Sequence, residues 1–180
     1  MSQLIQLESA RLIYYPMDVR FANETYLSWL NDVEVNKYLE IPKTNYLNDL
    51  IDYINSSVKA GIFFWAIVKK SDNKHIGNIK IDPISTKHGY GEYGILMGDR
   101  SEWGKGYAKE ASKTIVEFCF NKLNLRKVNL GVIAENTAAI NLYKTLGFKI
   151  EGHYKHHVKF ENQFSDVFRM AIFNKSINYN

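Results

Sequence analysis

Cysteine, proline and long apolar runs are scarce in this chain of 180 residues. Cys119 is the single cysteine, so an internal disulfide is excluded and the reducing cytoplasm is the compartment that we expect. No run of about 18 apolar residues occurs, and no basic stretch precedes an apolar one at the N-terminus, so we expect neither a membrane span nor a secretory leader. The three prolines, Pro16, Pro42 and Pro83, each fall at a predicted boundary between elements.

Charge of one sign is not concentrated anywhere in the chain. Lys and Arg exceed Asp and Glu by 23 to 19, but no block of about five like charges occurs. This mild basic balance suits a small phosphorylated ligand, whereas nucleic acid would favour clustered cations, so we expect no nucleic-acid partner. The 46% hydrophobic and 23% charged content is that of a globular protein, and the length predicts one domain over residues 1–180.

The first third of the chain predicts one strand and two helices. The strand covers about Leu7–Tyr14, and a helix capped by Asp18 follows it. A second helix covers about Thr44–Lys59 and ends at Gly61. Their inward faces are apolar residues at helical spacing: Val19, Ala22, Tyr26 and Leu30 in the first, and Leu47, Leu50, Ile51, Ile54 and Val58 in the second.

The rest of the chain alternates between strand and helix patterns. Strands are predicted at about Phe63–Val68, His75–Asp82, Tyr90–Met97, Lys127–Ile133, Phe148–Phe160 and Phe164–Phe173, and helices at about Lys105–Lys122 and Thr137–Leu146, the latter ended by Gly147. Short strands with tight connections indicate an antiparallel meander. The predicted fold is a mixed α/β domain of the α+β type, in which helices pack on a twisted, mostly antiparallel sheet.

A glycine-rich turn precedes the long helix, in the segment Trp103-Gly104-Lys105-Gly106-Tyr107-Ala108. Glycines at this place let backbone N–H groups approach an anion, and the helix N-terminus adds further donors and positive charge. The order strand, loop, glycine turn and helix therefore suits a diphosphate, although a tight turn with a packing glycine gives the same pattern. The P-loop motif is absent and GxGxxG fails at Lys109, which disfavours a nucleotide triphosphatase or a nicotinamide enzyme.

A second motif lies downstream, where residues 136–148 read Asn-Thr-Ala-Ala-Ile-Asn-Leu-Tyr-Lys-Thr-Leu-Gly-Phe. Together with the glycine turn, this segment resembles the GNAT superfamily of acetyl-CoA-dependent N-acetyltransferases. Within that superfamily, the chain is similar to the branch of the ribosomal-protein N-terminal acetyltransferases and spermidine acetyltransferase. The two motifs cover about Glu92–Phe148, and the order of elements fits nearly the whole chain.

The resemblance implies three groups of residues that bind acetyl-CoA. The backbone of Trp103, Gly104, Lys105, Gly106, Tyr107 and Ala108 would hold the pyrophosphate; Ile95, Leu96 and Met97 would pair with the pantetheine arm; Asn136, Ala139 and Tyr143 would form the second coenzyme A segment. Trp103 stands where relatives have Gln or Arg, which puts a side-chain contact in doubt. Gly94 and Gly98 flank the pantetheine strand, as in a bulge that opens a strand to a ligand.

The resemblance also implies two catalytic side chains. Tyr143 would act as general acid toward the leaving thiolate, with a core aromatic as the alternative interpretation. Glu92 would be the base that deprotonates the amine, with an edge-strand surface glutamate as the alternative and Glu135 as the second candidate. The amine attacks the thioester directly, so no nucleophilic Ser or Cys is needed.

Histidines and aromatics elsewhere receive structural interpretations. His153, His156 and His157 cluster in the tail, but we see no acidic or Cys partner near them in the sequence and expect no metal. Cys119 is expected to be a buried small hydrophobe. Tyr26 and Trp29 belong to the N-terminal helices, which form one wall of the acceptor site in this family, and core packing explains them equally well.

The sequence leaves the acceptor open among a protein N-terminus, a polyamine and a small amine. His75-Ile76-Gly77-Asn78-Ile79-Lys80 and the glycine-rich segments resemble members associated with surface-sugar biosynthesis, so an anionic amino-sugar nucleotide is the first expectation. The net basic charge disfavours a polycation. A non-catalytic acyl-CoA-binding module is the alternative from another class, and a homodimer is compatible with either.

Overall fold

The computed structural model describes residues 5–39 and 46–178, and the chain divides into two compact units. The first unit comprises Met1–Asp82 and Gly94–Thr114, and the second comprises Pro83–Tyr93 and Ile115–Asn180. The chain therefore passes between the units more than once.

The described residues contain eight strands, which form one sheet. The strands are β1 (Leu7–Glu8), β2 (Leu12–Pro16), β3 (Phe63–Lys69), β4 (His75–Ser85), β5 (Tyr90–Met97), β6 (Lys127–Ile133), β7 (Lys149–Phe160) and β8 (Gln163–Phe173). Their order is β1-β2-β3-β4-β5-β6-β8-β7. The β1–β2, β2–β3, β3–β4, β6–β8 and β7–β8 pairs are antiparallel, and β5–β6 is parallel. The predicted mixed, mostly antiparallel sheet is confirmed.

Helices flank this sheet, as the sequence predicts. They are α1 (Glu24–Asn31), α2 (Val33–Asn36), α3 (Leu47–Lys59), α4 (Tyr107–Asn121) and α5 (Thr137–Leu146), with 3₁₀ helices at Val19–Phe21 and Arg100–Glu102. None of the helices formed by the described residues has the length and apolarity to cross a membrane.

Three elements have the bounds that the sequence predicts: β5, β6 and α5. In β6 the alternating residues Val128, Leu130 and Val132 are buried. This spacing of two residues is the pattern from which the strand was predicted. Gly147 ends α5 with a φ of 98°, and its N–H donates to the carbonyl of Lys144. These bounds follow from strictly local signals.

The predicted single strand at Leu7–Tyr14 is wrong, because the chain forms two strands there. β1 and β2 pair antiparallel, with Leu7 opposite Tyr14. The N–H of Ser9 donates to the carbonyl of Leu12 at 2.9 Å and closes the turn between them. Arg11 stands at the end of this turn, directly before β2.

The helix predicted from Asp18 is also divided. Asp18 does act as a cap, but it caps the 3₁₀ helix Val19–Phe21, with Val19 48% exposed. Asn23 then takes an extended backbone (φ −139°, ψ 171°) and caps α1 by accepting from the N–H of Tyr26 at 3.0 Å. A second capping residue five positions after the first therefore starts a new helix.

The described part of α3 agrees with the prediction at its C-terminal end, where Gly61 has a φ of 70°. The predicted start at Thr44 lies outside the described residues. Leu50 and Ile54 are buried as predicted, but Val58 is 45% exposed and Ser57 is buried in its place. Ser57 satisfies its hydroxyl by donating to the carbonyl of Tyr53 at 2.8 Å, so burial leaves no orphaned group.

The first unit has an apolar core between α1–α3 and the sheet. Its buried members are Met17, Tyr26, Leu27, Trp29, Leu30, Val35, Leu50, Ile54, Phe64 and Ala66. Tyr26 and Trp29 therefore pack in the core. In the second unit, Cys119 is fully buried, which confirms that it is a buried small hydrophobe.

His75 is a polar residue at the edge of this core. Its Nε2 lies 3.0 Å from the carbonyl of Gly77 and 2.9 Å from Oδ1 of Asn78, so this nitrogen carries the hydrogen. Its ring makes edge contacts with Phe21 and Trp29, at centroid distances of 5.0 Å and 4.8 Å. Burial lowers the pKa of His75, and the neutral imidazole is the form that the fold stabilises.

We predict that the Tm falls as the pH drops from 7 to 5. Because the pKa of His75 is lower in the folded state than its value of about 6.5 in the unfolded chain, the unfolded state binds more protons and stability is lost with acid. A His75→Gln variant keeps a donor but does not titrate, so its Tm should fall less over this range. His88→Gln, at an exposed histidine, should keep the wild-type slope. Equal slopes for wild type and His75→Gln would contradict the prediction.

Candidate active site

The segment from β5 to α4 forms the strand, turn and helix that the sequence predicts. β5 ends at Met97, the 3₁₀ helix covers Arg100–Glu102, and α4 begins at Tyr107. Between them, Gly104 has a φ of 74° and Gly106 a φ of 81°. Such a left-handed backbone costs an L-residue about 1–2 kcal/mol but is open to glycine. The two glycines are therefore required by the backbone, and α4 begins two residues later than predicted.

This glycine turn presents open main chain. A Cβ built on Gly104 meets no other part of the described chain within 4 Å, and one built on Gly106 lies 3.6 Å from Nη2 of Arg11. Tyr107 and Ala108 follow as the half-buried first residues of α4, whose N-terminal N–H groups have no partner within the helix. Backbone donors arranged in this way can hold a phosphate.

Glu102 stands directly before the turn and is buried. Its Oε1 accepts a hydrogen bond from Nζ of Lys69 at 2.9 Å, and its Oε2 accepts one from Nζ of Lys105 at 3.0 Å. The hydrogen bond from Lys69 holds the pKa of Glu102 below its usual value, so the carboxylate stays ionised at neutral pH. The ammonium of Lys105 is thus paired within the protein.

The hairpin between β3 and β4 also holds the beginning of the 3₁₀ helix. Lys74 in this hairpin forms an ion pair with Asp99. Asp99 in turn caps the 3₁₀ helix by accepting from the N–H of Ser101 at 3.0 Å. Together with the Lys69–Glu102 pair, these contacts fix the backbone that leads into the glycine turn.

The predicted pantetheine strand, Ile95, Leu96 and Met97, is half-buried at the end of β5. The carbonyl of Met97 accepts a hydrogen bond from Nε1 of Trp103 at 2.9 Å. The residue that departs from the family pattern therefore ties the glycine turn back to the strand.

Gly98 follows the strand and allows a close approach by Trp29. A Cβ at Gly98 would lie 1.9 Å from Cδ2 of that indole, which no larger residue tolerates. The N–H groups of Gly98 and Asp99 both donate to the carbonyl of Ile76, at 3.0 and 3.1 Å, as in a β-bulge. This glycine thus serves the packing of α1 against the end of β5.

The second predicted cofactor segment begins α5 in the second unit. Asn136 is the N-cap, and its Oδ1 accepts from the N–H of Ala139 at 3.1 Å. The cap satisfies one of the first N–H groups of the helix within the protein. A ligand contact by Asn136 would therefore use its Nδ2 group.

Tyr143 lies on the inner side of α5 and is 8% exposed. Its ring contacts Tyr93 and Phe148, at centroid distances of 5.9 Å and 5.8 Å. Burial raises the pKa of Tyr143 to about 12, so the phenol is protonated at neutral pH. Within residues 5–39 and 46–178, no group accepts a hydrogen bond from its hydroxyl. The hydroxyl can therefore donate to a bound molecule.

Glu92 lies on β5 next to Tyr93, so the two side chains point to opposite faces of the sheet. Its Oε2 accepts from Nη2 of Arg169 at 2.6 Å and also from Nδ2 of Asn129. Asn129 is the register partner of Glu92 on β6. Because β5 is an inner strand, the alternative of a glutamate on a sheet edge is wrong. Glu92 is an ion-paired carboxylate on the face opposite the Tyr93–Tyr143 contact.

Glu135, the second candidate base, lies between β6 and α5. Its Oε1 accepts a hydrogen bond from Oγ of Ser165 at 2.9 Å, and Ser165 is buried on β8. The Glu135 carboxylate is exposed, in contrast to that of Glu92.

The tail histidines have an acidic partner that the sequence analysis missed. Nε2 of His153 lies 2.6 Å from Oδ2 of Asp166, and the N–H of His156 donates to Oδ1 of the same carboxylate at 2.8 Å. The pairing of β7 with β8 brings these residues together across the hairpin. Among the described residues, no group of three or more His, Cys, Asp or Glu side chains is arranged to hold a metal ion.

Comparison with known proteins identifies the family. The family model of the acetyltransferase (GNAT) domain matches residues 11–149. The chain belongs to the GNAT acetyltransferase family. The resemblance inferred from the two motifs is therefore confirmed, and the protein is an acetyl-CoA-dependent N-acetyltransferase rather than a non-catalytic module.

Three proteins illustrate what this chain is similar to. An uncharacterized N-acetyltransferase p20 from Bacillus licheniformis is 31% identical over 170 residues, which is 92% of this chain and 94% of that protein. Spermidine N(1)-acetyltransferase from Escherichia coli K12 is 34% identical over 106 residues, 59% of this chain and 56% of that protein. The crystal structure of spermidine N-acetyltransferase from Vibrio cholerae in complex with CoA and spermine superposes with a TM-score of 0.84. The match covers 92% of this chain and 96% of that chain at 22% sequence identity, which shows that the two proteins share a fold.

The residues that hold the glycine turn were not found from the sequence. Lys69 is 33 positions from Glu102, and Arg11 is 94 positions from Lys105. Likewise, Arg169 is 77 positions from Glu92. Each is an isolated cation in its own segment, so no local pattern marks it. The sequence feature that could have indicated such partners is Glu102, an acidic residue that lies directly before a proposed anion site.

Proposed function

We propose that this N-acetyltransferase acetylates a primary amine of a small cationic molecule of the polyamine class, by direct attack on acetyl-CoA. The observation that carries the choice of acceptor is the charge of α1–α3. Between residues 24 and 59, the described residues include five carboxylates against Lys37 and Lys59: Glu24, Asp32, Glu34, Asp49 and Asp52. The GNAT resemblance assigns one wall of the acceptor site to these N-terminal helices.

Most of these carboxylates face solvent. Glu24, Glu34, Asp49 and Asp52 are exposed, and Asp32 is paired with Arg100 at 3.4 Å. An acidic surface attracts a cation and repels a nucleotide, whose phosphates are negative. The similarity to spermidine N(1)-acetyltransferase supports the same acceptor class. The amino-sugar nucleotide expected from the sequence has no such support.

The cofactor groups retain the assignment that the GNAT resemblance implies. The backbone of residues 103–108 holds the pyrophosphate, Ile95–Met97 pairs with pantetheine, and Asn136, Ala139 and Tyr143 form the second segment. Two features support the first assignment: the left-handed backbone at Gly104 and Gly106, and the start of α4 directly after them.

The acceptor amine must lose a proton before it attacks. An alkylammonium with a pKa near 10 costs about 4 kcal/mol to deprotonate at pH 7, which a positioned base offsets. Glu92 takes this proton directly or through a water, and the amine nitrogen then bonds to the thioester carbon. The carbon–sulfur bond breaks, and the electron pair leaves with the sulfur as a thiolate. The second proton of the attacking nitrogen passes to that thiolate or to water, which leaves a neutral amide and the thiol of coenzyme A.

Tyr143 assists the departure of that thiolate. A phenol with a pKa of about 12 is a weaker acid than a thiol of about 8.5, so complete proton transfer is uphill by roughly 5 kcal/mol. A hydrogen bond to the sulfur, formed as its charge develops, is therefore the role that the environment of Tyr143 supports.

The acceptor class is tested by measuring thiol release from acetyl-CoA with spermidine, a UDP-linked amino sugar and a peptide with a free N-terminus. We expect turnover with spermidine, at a KM that rises with ionic strength because salt screens the exposed carboxylates. A Glu34→Gln/Asp52→Asn variant should raise that KM, while Glu117→Gln, outside α1–α3, should not. Turnover with only the sugar nucleotide or the peptide would overturn the proposal.

Replacing Tyr143 by Phe removes the hydroxyl and keeps the packing. We expect kcat to fall by about 10²-fold, since a positioned proton donor contributes about that much, with no change in the Kd of acetyl-CoA. Tyr93→Phe removes a hydroxyl from the same aromatic cluster and should leave kcat near wild type. Steady-state kinetics and equilibrium binding measure both quantities. An unchanged kcat in Tyr143→Phe would exclude this residue from the chemistry.

Glu92→Gln keeps the shape of the side chain but cannot accept the proton. We expect kcat/KM at neutral pH to fall by about 10²-fold or more and the acid limb of its pH profile to disappear. Glu151→Gln is the matched control, because Glu151 is paired with Lys127 in the same unit. If the acid limb stays in place, the base is Glu135 or no side chain at all.

A further inference from the structure

Arg11, at the turn between β1 and β2, connects that turn to the start of α4. Its N–H donates to Oε1 of Glu110 at 2.8 Å, and its Nε donates to Oε2 at 2.6 Å. Its Nη1 donates to the carbonyl oxygen of Lys105 at 3.0 Å. Its guanidinium also lies 4.3 Å from the ring centroid of Tyr107. One side chain thus contacts the glycine turn and the first turn of α4 together.

The contact with the Lys105 carbonyl has a consequence for the next N–H group. In a trans peptide, the carbonyl of one residue and the N–H of the following residue point in opposite directions. Because Arg11 binds the carbonyl of Lys105, the N–H of Gly106 is turned away from Arg11. Gly106 has a φ of 81°. Because glycine adopts several backbone conformations with similar ease, a contact from outside the turn is needed to hold the Lys105–Gly106 peptide in one orientation.

The orientation of the guanidinium is itself fixed. The guanidinium donates from Nε to Oε2 of Glu110, and Oε1 of Glu110 accepts from the backbone N–H of Arg11 and from Oγ of Ser9 at 2.7 Å. Charge-assisted hydrogen bonds to a carboxylate are among the stronger contacts in proteins. Glu110 therefore holds the Arg11 side chain in the position from which it contacts the turn.

We infer that Arg11 is a positioning residue for the pyrophosphate cradle, a role that rests on the proposed binding of acetyl-CoA at residues 103–108. It holds the Lys105–Gly106 peptide so that the N–H of Gly106 faces the diphosphate. No bond forms or breaks at Arg11, and its effect is confined to the part of the cofactor that carries phosphate.

The test compares acetyl-CoA with acetyl-pantetheine, which has the same thioester but no diphosphate. In Arg11→Gln we expect the KM and Kd for acetyl-CoA to rise about tenfold, the effect of one charge-assisted hydrogen bond, while kcat/KM for acetyl-pantetheine stays at the wild-type value. Arg20→Gln is the matched control, because Arg20 is ion-paired with Asp18 in the same unit and away from the turn. Arg20→Gln should leave the KM and Kd for acetyl-CoA and the kcat/KM for acetyl-pantetheine at their wild-type values.

The possible outcomes distinguish a failure of the role inferred for Arg11 from a failure of the proposed pyrophosphate site. An equal loss with both substrates, or no loss with either, would overturn the role of Arg11. If wild-type protein itself binds acetyl-CoA no better than acetyl-pantetheine, the cradle at residues 103–108 fails and the inference fails with it. Should Arg11→Gln fold poorly, Arg11→Lys keeps the charge but not the fork of donors, and a loss confined to acetyl-CoA supports the inference in the same way.

Discussion

The backbone of one short turn is the constraint on which the rest of the proposed cofactor site depends. Gly104 and Gly106 both have left-handed backbone conformations, which glycine adopts about as readily as others, so contacts with the rest of the chain are needed to select them. The support comes from charged partners on either side: Glu102 is held by Lys69, and the Lys105 carbonyl is held by Arg11. Buried or partly buried ions arranged around a turn stabilise one backbone geometry, provided that each has its partner.

Each unit contains residues for which we propose a role. The first unit contains the glycine turn and the acidic helices α1–α3, for which we propose cofactor and acceptor binding. The second unit contains the proposed catalytic residues Glu92 and Tyr143 and the second proposed cofactor segment. β5 includes parts of both units and places Glu92 and Tyr93 on opposite faces, so the alternation of a single strand separates the proposed base from the aromatic contact of the proposed proton donor.

Local signals were sufficient for much of the fold and for the family. The alternation in β6, the left-handed stop at Gly147 and the glycine turn itself are each encoded within a few residues, and they were located correctly. Errors arose where two local signals compete: Asp18 and Asn23 are both caps, and the longer helix predicted from the first was divided by the second. The turn closed by Ser9 likewise divides a continuous β pattern.

Long-range partners and the acceptor could not be inferred in this way. Arg11, Lys69 and Arg169 act on residues far away in sequence, so only the folded chain shows their roles. The net charge of +4, which disfavoured a polycation, averages over the whole chain and does not show the acidic excess of α1–α3. A local charge at one wall is the more relevant quantity for a small ligand.

The central claim is that the glycine turn holds the cofactor through its backbone, and a comparison of two glycines tests it most directly. Gly61 and Gly106 both have left-handed conformations, with φ of 70° and 81°. Gly61→Ala and Gly106→Ala should each cost about 1–2 kcal/mol of stability. The account predicts that the Kd of acetyl-CoA, measured by calorimetry, rises at least tenfold in Gly106→Ala and stays at the wild-type value in Gly61→Ala. An unchanged Kd in folded Gly106→Ala would contradict the claim.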